Sequence, residues 1–156
     1  MLVLRLTLAV VFVAHGSHVL FGAWPGPGQG PGGLSHEAEL YAAAGLNPAM
    51  PLAILAGVLH LIAGVLLGVG WFARWAAGAL VIDVGIGLWQ LHLKWGFFLN
   101  YSNAPGQGHG IEYTVILLGA LAALILAGAG DFSIDGVRAK GAEARAAGRA
   151  RLRGKV

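Results

Sequence analysis

The chain has 156 residues, of which 57% are hydrophobic and 11% are charged, and its formal net charge is +3. A soluble domain carries about 25% charged residues, so this composition predicts one small integral membrane domain and no second globular domain. The chain contains no cysteine. This excludes disulfides, thiolate metal sites and Cys-ligated iron–sulfur clusters within the chain.

Four apolar segments are each close to the length that crosses a bilayer, which is about 20 residues for a helix. They are Met1–Phe21, Met50–Phe72, Trp75–Leu93 and Ile111–Gly130. We therefore expect an all-α fold in which residues 1–135 form a four-helix transmembrane bundle. The remaining residues, 136–156, are expected to form a basic tail.

Lys and Arg are distributed unevenly between the loops. The segment 22–49 has none and the third loop has only Lys94, whereas the tail carries Arg138, Lys140, Arg145, Arg149, Arg151, Arg153 and Lys155. The positive-inside rule predicts that both termini and the turn at Arg74 are cytoplasmic and that the loops 22–49 and 94–110 face outward, as in a multi-pass protein of a bacterial-type inner membrane. We expect the tail to be mobile or weakly helical and to bind anionic lipid rather than nucleic acid.

The first loop divides into two parts. Its Pro- and Gly-rich run Pro25–Gly33 is incompatible with a helix or a ladder strand. The following residues offer Ser35 as an N-cap, acidic residues in a first turn and Gly45 as a C-cap, which predicts a short interfacial helix. An ordered loop is the alternative interpretation.

Polar side chains within the apolar segments are candidates for a functional site, because they are costly in hydrocarbon. Asp83, Gly87 and Gln90 follow an i, i+4, i+7 stripe on one helix face. The helical rise places most of the polar groups in the outer half of the membrane. The predicted outward-facing pocket comprises His15, His18, His60, Asp83, Gln90, His92 and Glu112.

Within this set, we expect at least three of His15, His18, His60 and Glu112 to line one shared cavity. Local hydrogen bonds between helices are the alternative. The three histidines are also possible ligands of a metal or a haem, and the pocket is a possible quinone site. We expect Asp83 to be paired or protonated and to face the bundle interior, because an exposed charge near mid-bilayer is unfavourable.

Two further features concern packing. Gly57, Gly64 and Gly68 leave a smooth strip on the second helix, which predicts the close approach of a neighbouring helix. Arg5 is the charged residue of the inner half, and we expect its side chain to snorkel to the cytoplasm.

Several short motifs, in order over about residues 4–135, resemble those of DoxX-like membrane proteins. They are Ala14-His15-Gly16 with Leu20-Phe21-Gly22, Ala43-Ala44-Gly45-Leu46-Asn47-Pro48, Gly64 to Gly68 followed by Arg74, Gly110-Ile111-Glu112-Tyr113, and Gly128 to Asp135. The chain departs from the family pattern at Val19, where a basic residue is common, and at His60, where an acidic one is common.

The resemblance implies a four-helix membrane domain that is often linked to redox systems, including a subunit of thiosulfate:quinone oxidoreductase and membrane partners of oxidative-stress enzymes. The leading hypothesis is therefore a membrane subunit of a redox or respiratory assembly, with the polar pocket facing a quinone, proton or cofactor. A carrier for a small solute or proton, or a purely structural accessory subunit, is the alternative. Other membrane subunits or further copies of the chain are the expected partners, and the sequence assigns no catalytic residue.

Overall fold

The computed structural model describes residues 1–24 and 30–153, so residues 25–29 of the Pro- and Gly-rich run lie outside the described residues. The described part of the chain is all-α, without a strand. It consists of α1 (Leu2–Phe21), α2 (Leu34–Ala43), α3 (Ala49–Val69), α4 (Ala73–Gly87), a π-helical segment (Leu88–His92), a 3-10 turn (Leu93–Trp95), α5 (Glu112–Ala127) and α6 (Ile134–Arg153).

Three helical stretches are long and apolar enough to cross a membrane: Leu2–Phe21, Ala49–Val69 and Ala73–Trp95. The fourth predicted segment forms a shorter helix than expected, since α5 has 16 residues. At about 1.5 Å per residue it extends over about 24 Å, compared with about 30 Å for the hydrocarbon core of a bilayer. The helix stops early because Gly128 (φ 77°, ψ −174°) leaves the helical region.

The predicted short helix in the first loop is present as α2, but its caps differ from the prediction. Gly33 takes the N-cap position, so Ser35 lies inside the helix and makes no capping bond. At the other end Gly45 has φ +81°, and the next amide, of Leu46, donates to the carbonyl of Tyr41 at 2.9 Å. Gly45 therefore occupies the left-handed position of a Schellman motif, directly after the cap.

Helices α1 and α3 make the most extensive contact in the fold. A Cβ on Gly16 would lie 2.5 Å from the backbone nitrogen of Leu61, and one on Gly64 would lie 2.9 Å from Val13. A Cβ on Gly57 would similarly meet the side chains of Val19 and Leu20, at 2.8 to 2.9 Å. The expectation that the glycine strip of α3 receives a neighbouring helix is therefore confirmed, and the neighbour is α1.

Arg5 does not snorkel, and that expectation is wrong. Its side chain is buried, with 2% exposure, and it donates to the carbonyls of Leu67 and Gly68 at 3.1 and 3.0 Å and to that of Phe132 at 2.6 Å. The carbonyls at the end of α3 have no partner within the helix, and a cation there also interacts favourably with the helix dipole. These acceptors hold the guanidinium inside the protein.

The beginning of α6 closes the same end of the bundle. The Asp135 carboxylate accepts hydrogen bonds from the amides of Phe72 and Ala73, both at 3.0 Å, and so caps the N-terminus of α4. The Asp135 amide in turn donates to Gly70 at 3.0 Å. From this anchor the chain continues as a regular 20-residue helix. Where the sequence analysis expected a mobile or weakly helical tail, residues 136–153 are helical. Lys155 lies outside the described residues.

We expect Gly64→Ala to destabilise the protein by about 1–3 kcal/mol, the range for overpacking a tight core, because the new methyl group would meet the α1 backbone. Gly78→Ala in α4 is the matched control, since nothing lies within 4 Å of a Cβ there. That change should be neutral or stabilising by up to about 1 kcal/mol. Unfolding followed by circular dichroism in detergent measures both, and equal effects would contradict this account of the interface.

Candidate functional site

A cavity of about 610 Å³ opens among α1, α2, α3, α4 and α5, beneath the loop 96–111. Its walls are largely apolar and include Phe12, Leu52, Leu91 and Leu117. The polar and ionisable side chains that line it are few: His15, Glu37, Tyr41, His60, Asp83, His92, His109, Tyr113 and Thr114. An apolar cavity with a small number of polar groups is typical of a site for a small molecule.

A histidine–carboxylate pair joins α3 to α4 at this cavity. His60 Nε2 and Asp83 Oδ2 are 2.7 Å apart, and the two side chains are 16% and 26% exposed. The other ring nitrogen of His60, Nδ1, is buried without a partner. An imidazole whose N–H is on Nε2 satisfies this environment best, since a second N–H at Nδ1 would have no acceptor.

His15 lies beside this pair on α1. The centroids of the His15 and His60 rings are 6.3 Å apart, and the rings are nearly perpendicular, at 88°. His15 Nδ1 donates to the Val11 carbonyl at 2.9 Å, which fixes the tautomer and leaves a lone pair on Nε2. Phe12, also on α1, packs against His60, with ring centroids 5.3 Å apart. The site therefore places a hydrogen-bond acceptor, His15 Nε2, near the aromatic ring of Phe12.

Helix α2 adds two cavity residues, Glu37 and Tyr41, that the sequence analysis did not select. They are four residues apart and therefore share a helix face. This spacing was a usable signal, although nothing in the sequence indicated that the face turns toward α1 and α3. Burial raises the pKa of Glu37 above its ordinary value of 4.5, and burial together with the nearby Glu37 charge raises the pKa of Tyr41.

The π-helical segment determines which residues of the third predicted helix reach the cavity. Asp83 and Gly87 line it as the predicted stripe requires, but Leu91 and His92 follow them in place of Gln90, which is exposed. A π-type turn inserts one residue into the helical repeat, so the face that continues from Gly87 shifts by one position. His92 then donates from Nδ1 to the carbonyl of His109 at 2.9 Å, which ties the loop 96–111 to the cavity rim.

Two of the four residues expected in a shared cavity, His15 and His60, line it. His18 instead donates from Nδ1 to the carbonyl of Ala23 at 2.7 Å, a contact that holds the turn after α1. Glu112 accepts bonds from the Leu99 amide at 3.2 Å and the Tyr101 hydroxyl at 2.9 Å. The His18 and Glu112 side chains therefore form their hydrogen bonds with loop residues and not at the cavity.

His109, which the sequence analysis did not select, also lines the cavity. Its Nδ1 accepts a hydrogen bond from the Asn100 amide at 3.1 Å.

As for metals, the described residues contain no group of three or more His, Cys, Asp or Glu side chains that could hold an ion. His18 does not join His15 and His60 at the cavity.

The DoxX family model matches residues 1–92, more than half of the chain. The chain belongs to the DoxX family. The matched range contains His15, His60 and Asp83, whereas the DoxX-like motifs noted at 110–135 lie beyond it. Comparison with curated proteins and with solved structures gives no match. With its apolar helices, this DoxX-family chain is a small membrane protein with several candidate spans.

The raised pKa of Glu37 predicts a pH-dependent stability. The folded protein favours the neutral carboxyl, so this contribution is present below the ordinary pKa of 4.5 and is lost as the pH rises through the raised folded value. Glu37→Gln, which cannot ionise, should therefore gain stability relative to the unmodified protein between pH 4 and pH 8. Glu39→Gln, on the exposed side of α2, is the control. If the free energies of unfolding of the Glu37 variant and the unmodified protein change in the same way with pH, the prediction is refuted.

Proposed function

We propose that this protein is a membrane-integral subunit of a redox assembly and that its cavity binds the head group of a quinone-type lipid. The observation that carries the proposal is the His60–Asp83 pair at the wall of a largely apolar cavity. A carboxylate–imidazole pair at such a place can exchange a proton with a ligand while the apolar walls hold its ring.

A quinone suits these residues for three reasons. Its ring is flat and apolar, which matches walls such as Phe12 and Leu117. Its oxygens exchange hydrogen bonds, which suits the Tyr41 hydroxyl and the open nitrogen of His15. Its reduction takes up two protons with two electrons, and ionisable groups can exchange the protons. The electrons would come from another subunit of the assembly, or from a partner that docks on a homo-oligomer of this chain.

We further propose that α5 completes a four-helix transmembrane bundle with both termini in the cytoplasm of a bacterial-type inner membrane. The buried core contains Leu117, Leu121 and Leu124 of α5 together with residues of α1, α3 and α4. The bundle end that carries Arg5 and Arg74 is also the end from which the basic helix α6 leaves. The positive-inside rule favours the cytoplasm for that end, and the cavity then opens outward.

Quinone binding is tested with a short-chain quinone titrated into the protein in lipid nanodiscs by calorimetry. Losing one ordinary hydrogen bond costs about 0.5–1.5 kcal/mol. We therefore expect His15→Ala and Tyr41→Phe, which each remove a group proposed to bond a quinone oxygen, to raise Kd by about 2- to 10-fold. Gln90→Ala, outside the cavity, should leave Kd unchanged. Binding that is absent from the unmodified protein, or equal in all three folded variants, would overturn the proposal.

The topology is tested by single-cysteine labelling, which the cysteine-free chain permits without background. Ser102→Cys lies in the loop 96–111 and Ala147→Cys lies in α6. In sealed inner-membrane vesicles of known orientation, an impermeant maleimide should label these two positions from opposite sides. Labelling of both variants from the same side would show that the predicted orientation is wrong.

A further inference from the structure

Helix α6 has a patterned surface that neither the cavity nor the bundle uses. Its three large apolar residues lie on one face of the helix, and small residues at spacings of three or four continue that face between them. This face, called here the α6 stripe, consists of Ile134, Val137, Gly141, Ala144, Gly148 and Leu152. Val137 and Leu152 are 67% and 71% exposed, although burial of such side chains is favourable.

The charges of α6 are arranged around this stripe. At about 100° per residue, Arg138, Arg145 and Arg149 follow one edge of the stripe, and Lys140 and Arg151 follow the other. Glu143 lies on the opposite face of the helix. Cations on both edges of an apolar face, with the acid turned away, form the pattern of a helix that lies in a membrane interface. The long basic side chains can then reach lipid phosphates while the stripe contacts acyl chains.

The position of α6 in the fold indicates which phosphates it meets. Asp135, in its first turn, is bonded to Gly70 and to the N-terminus of α4, so the helix starts at the ends of two candidate spans. Trp75 and Phe132 at this place are 79% and 81% exposed, and exposed aromatic side chains at helix ends are typical of a membrane–water interface. A nucleic acid would meet the basic edges but would leave the stripe uncovered.

We propose that α6 is an anionic-phospholipid site: it lies flat on the bilayer with the stripe against the acyl chains and both basic edges on lipid phosphates. Asp135 anchors the first turn, and an exposed ion pair between Lys140 and Asp131, at 3.1 Å, holds the second. The helix beyond this pair can dock on the bilayer or leave it without disturbing the bundle. The proposal is independent of any quinone at the cavity.

The test uses the full chain in nanodiscs, with a fluorophore on a single cysteine. Ala144→Cys places the label on the stripe, and Ala139→Cys places it about 140° away around the same helix. In discs containing phosphatidylglycerol, the label at 144 should be protected from acrylamide, a neutral aqueous quencher, and the label at 139 should not. In discs of phosphatidylcholine alone, both labels should be accessible.

Charge variants in the Ala144→Cys background provide the second measurement. Arg145→Gln and Arg149→Gln should each lower the ratio of docked to free helix about fivefold, the equivalent of about 1 kcal/mol per cation near an anionic surface. Glu143→Gln, on the far face, is the control and should not lower it. Equal quenching at 139 and 144, protection that does not depend on lipid charge, or protection that appears only with an added oligonucleotide would each overturn the proposal.

Discussion

The close contact between α1 and α3 is the constraint on which the rest of the site depends. Gly16 follows His15 in the sequence and Leu61 follows His60, and a Cβ on Gly16 would lie 2.5 Å from the Leu61 backbone nitrogen. A point of close approach between the helices is therefore adjacent to the two imidazoles, whose rings lie 6.3 Å apart. A larger residue at this position would separate the helices and the rings together. The pairing of His60 with Asp83 then adds α4 to the same unit, so three helices share one polar cluster inside an apolar fold.

The identity of His60 matters because of its partner. A carboxyl group at this position would lie next to the carboxyl group of Asp83. Two neighbouring carboxyl groups do not both ionise readily, because their negative charges repel each other. An imidazole here instead donates a hydrogen bond from Nε2 to the carboxylate. Its second nitrogen, Nδ1, stays available to accept a proton. The imidazole at position 60 therefore allows a hydrogen-bonded pair where a second carboxyl group would repel the first.

The sequence predicted the main helices and part of the site. The apolar segments, the glycine strip of α3 and the polar character of His60 and Asp83 follow from length, side-chain size and the cost of charges in hydrocarbon. Other features depend on contacts between distant residues. The π-helical segment moved Gln90 off the cavity, and the docking of α2 brought Glu37 onto it. Arg5 is buried because three carbonyl groups from two remote parts of the chain accept its hydrogen bonds, and no local pattern indicates their convergence.

The contacts that close the Arg5 end of the bundle have a consequence for synthesis. Arg5 needs the carbonyl of Phe132, 127 residues later, and α4 needs the carboxylate of Asp135, 62 residues after Ala73. On the ribosome, α1, α3 and α4 emerge well before these partners do. During that interval a guanidinium inside the bundle lacks one of its acceptors and a helix N-terminus lacks its cap. The contacts at the Arg5 end therefore form only after Phe132 and Asp135 have been synthesised, when they satisfy polar groups of α1 and α4.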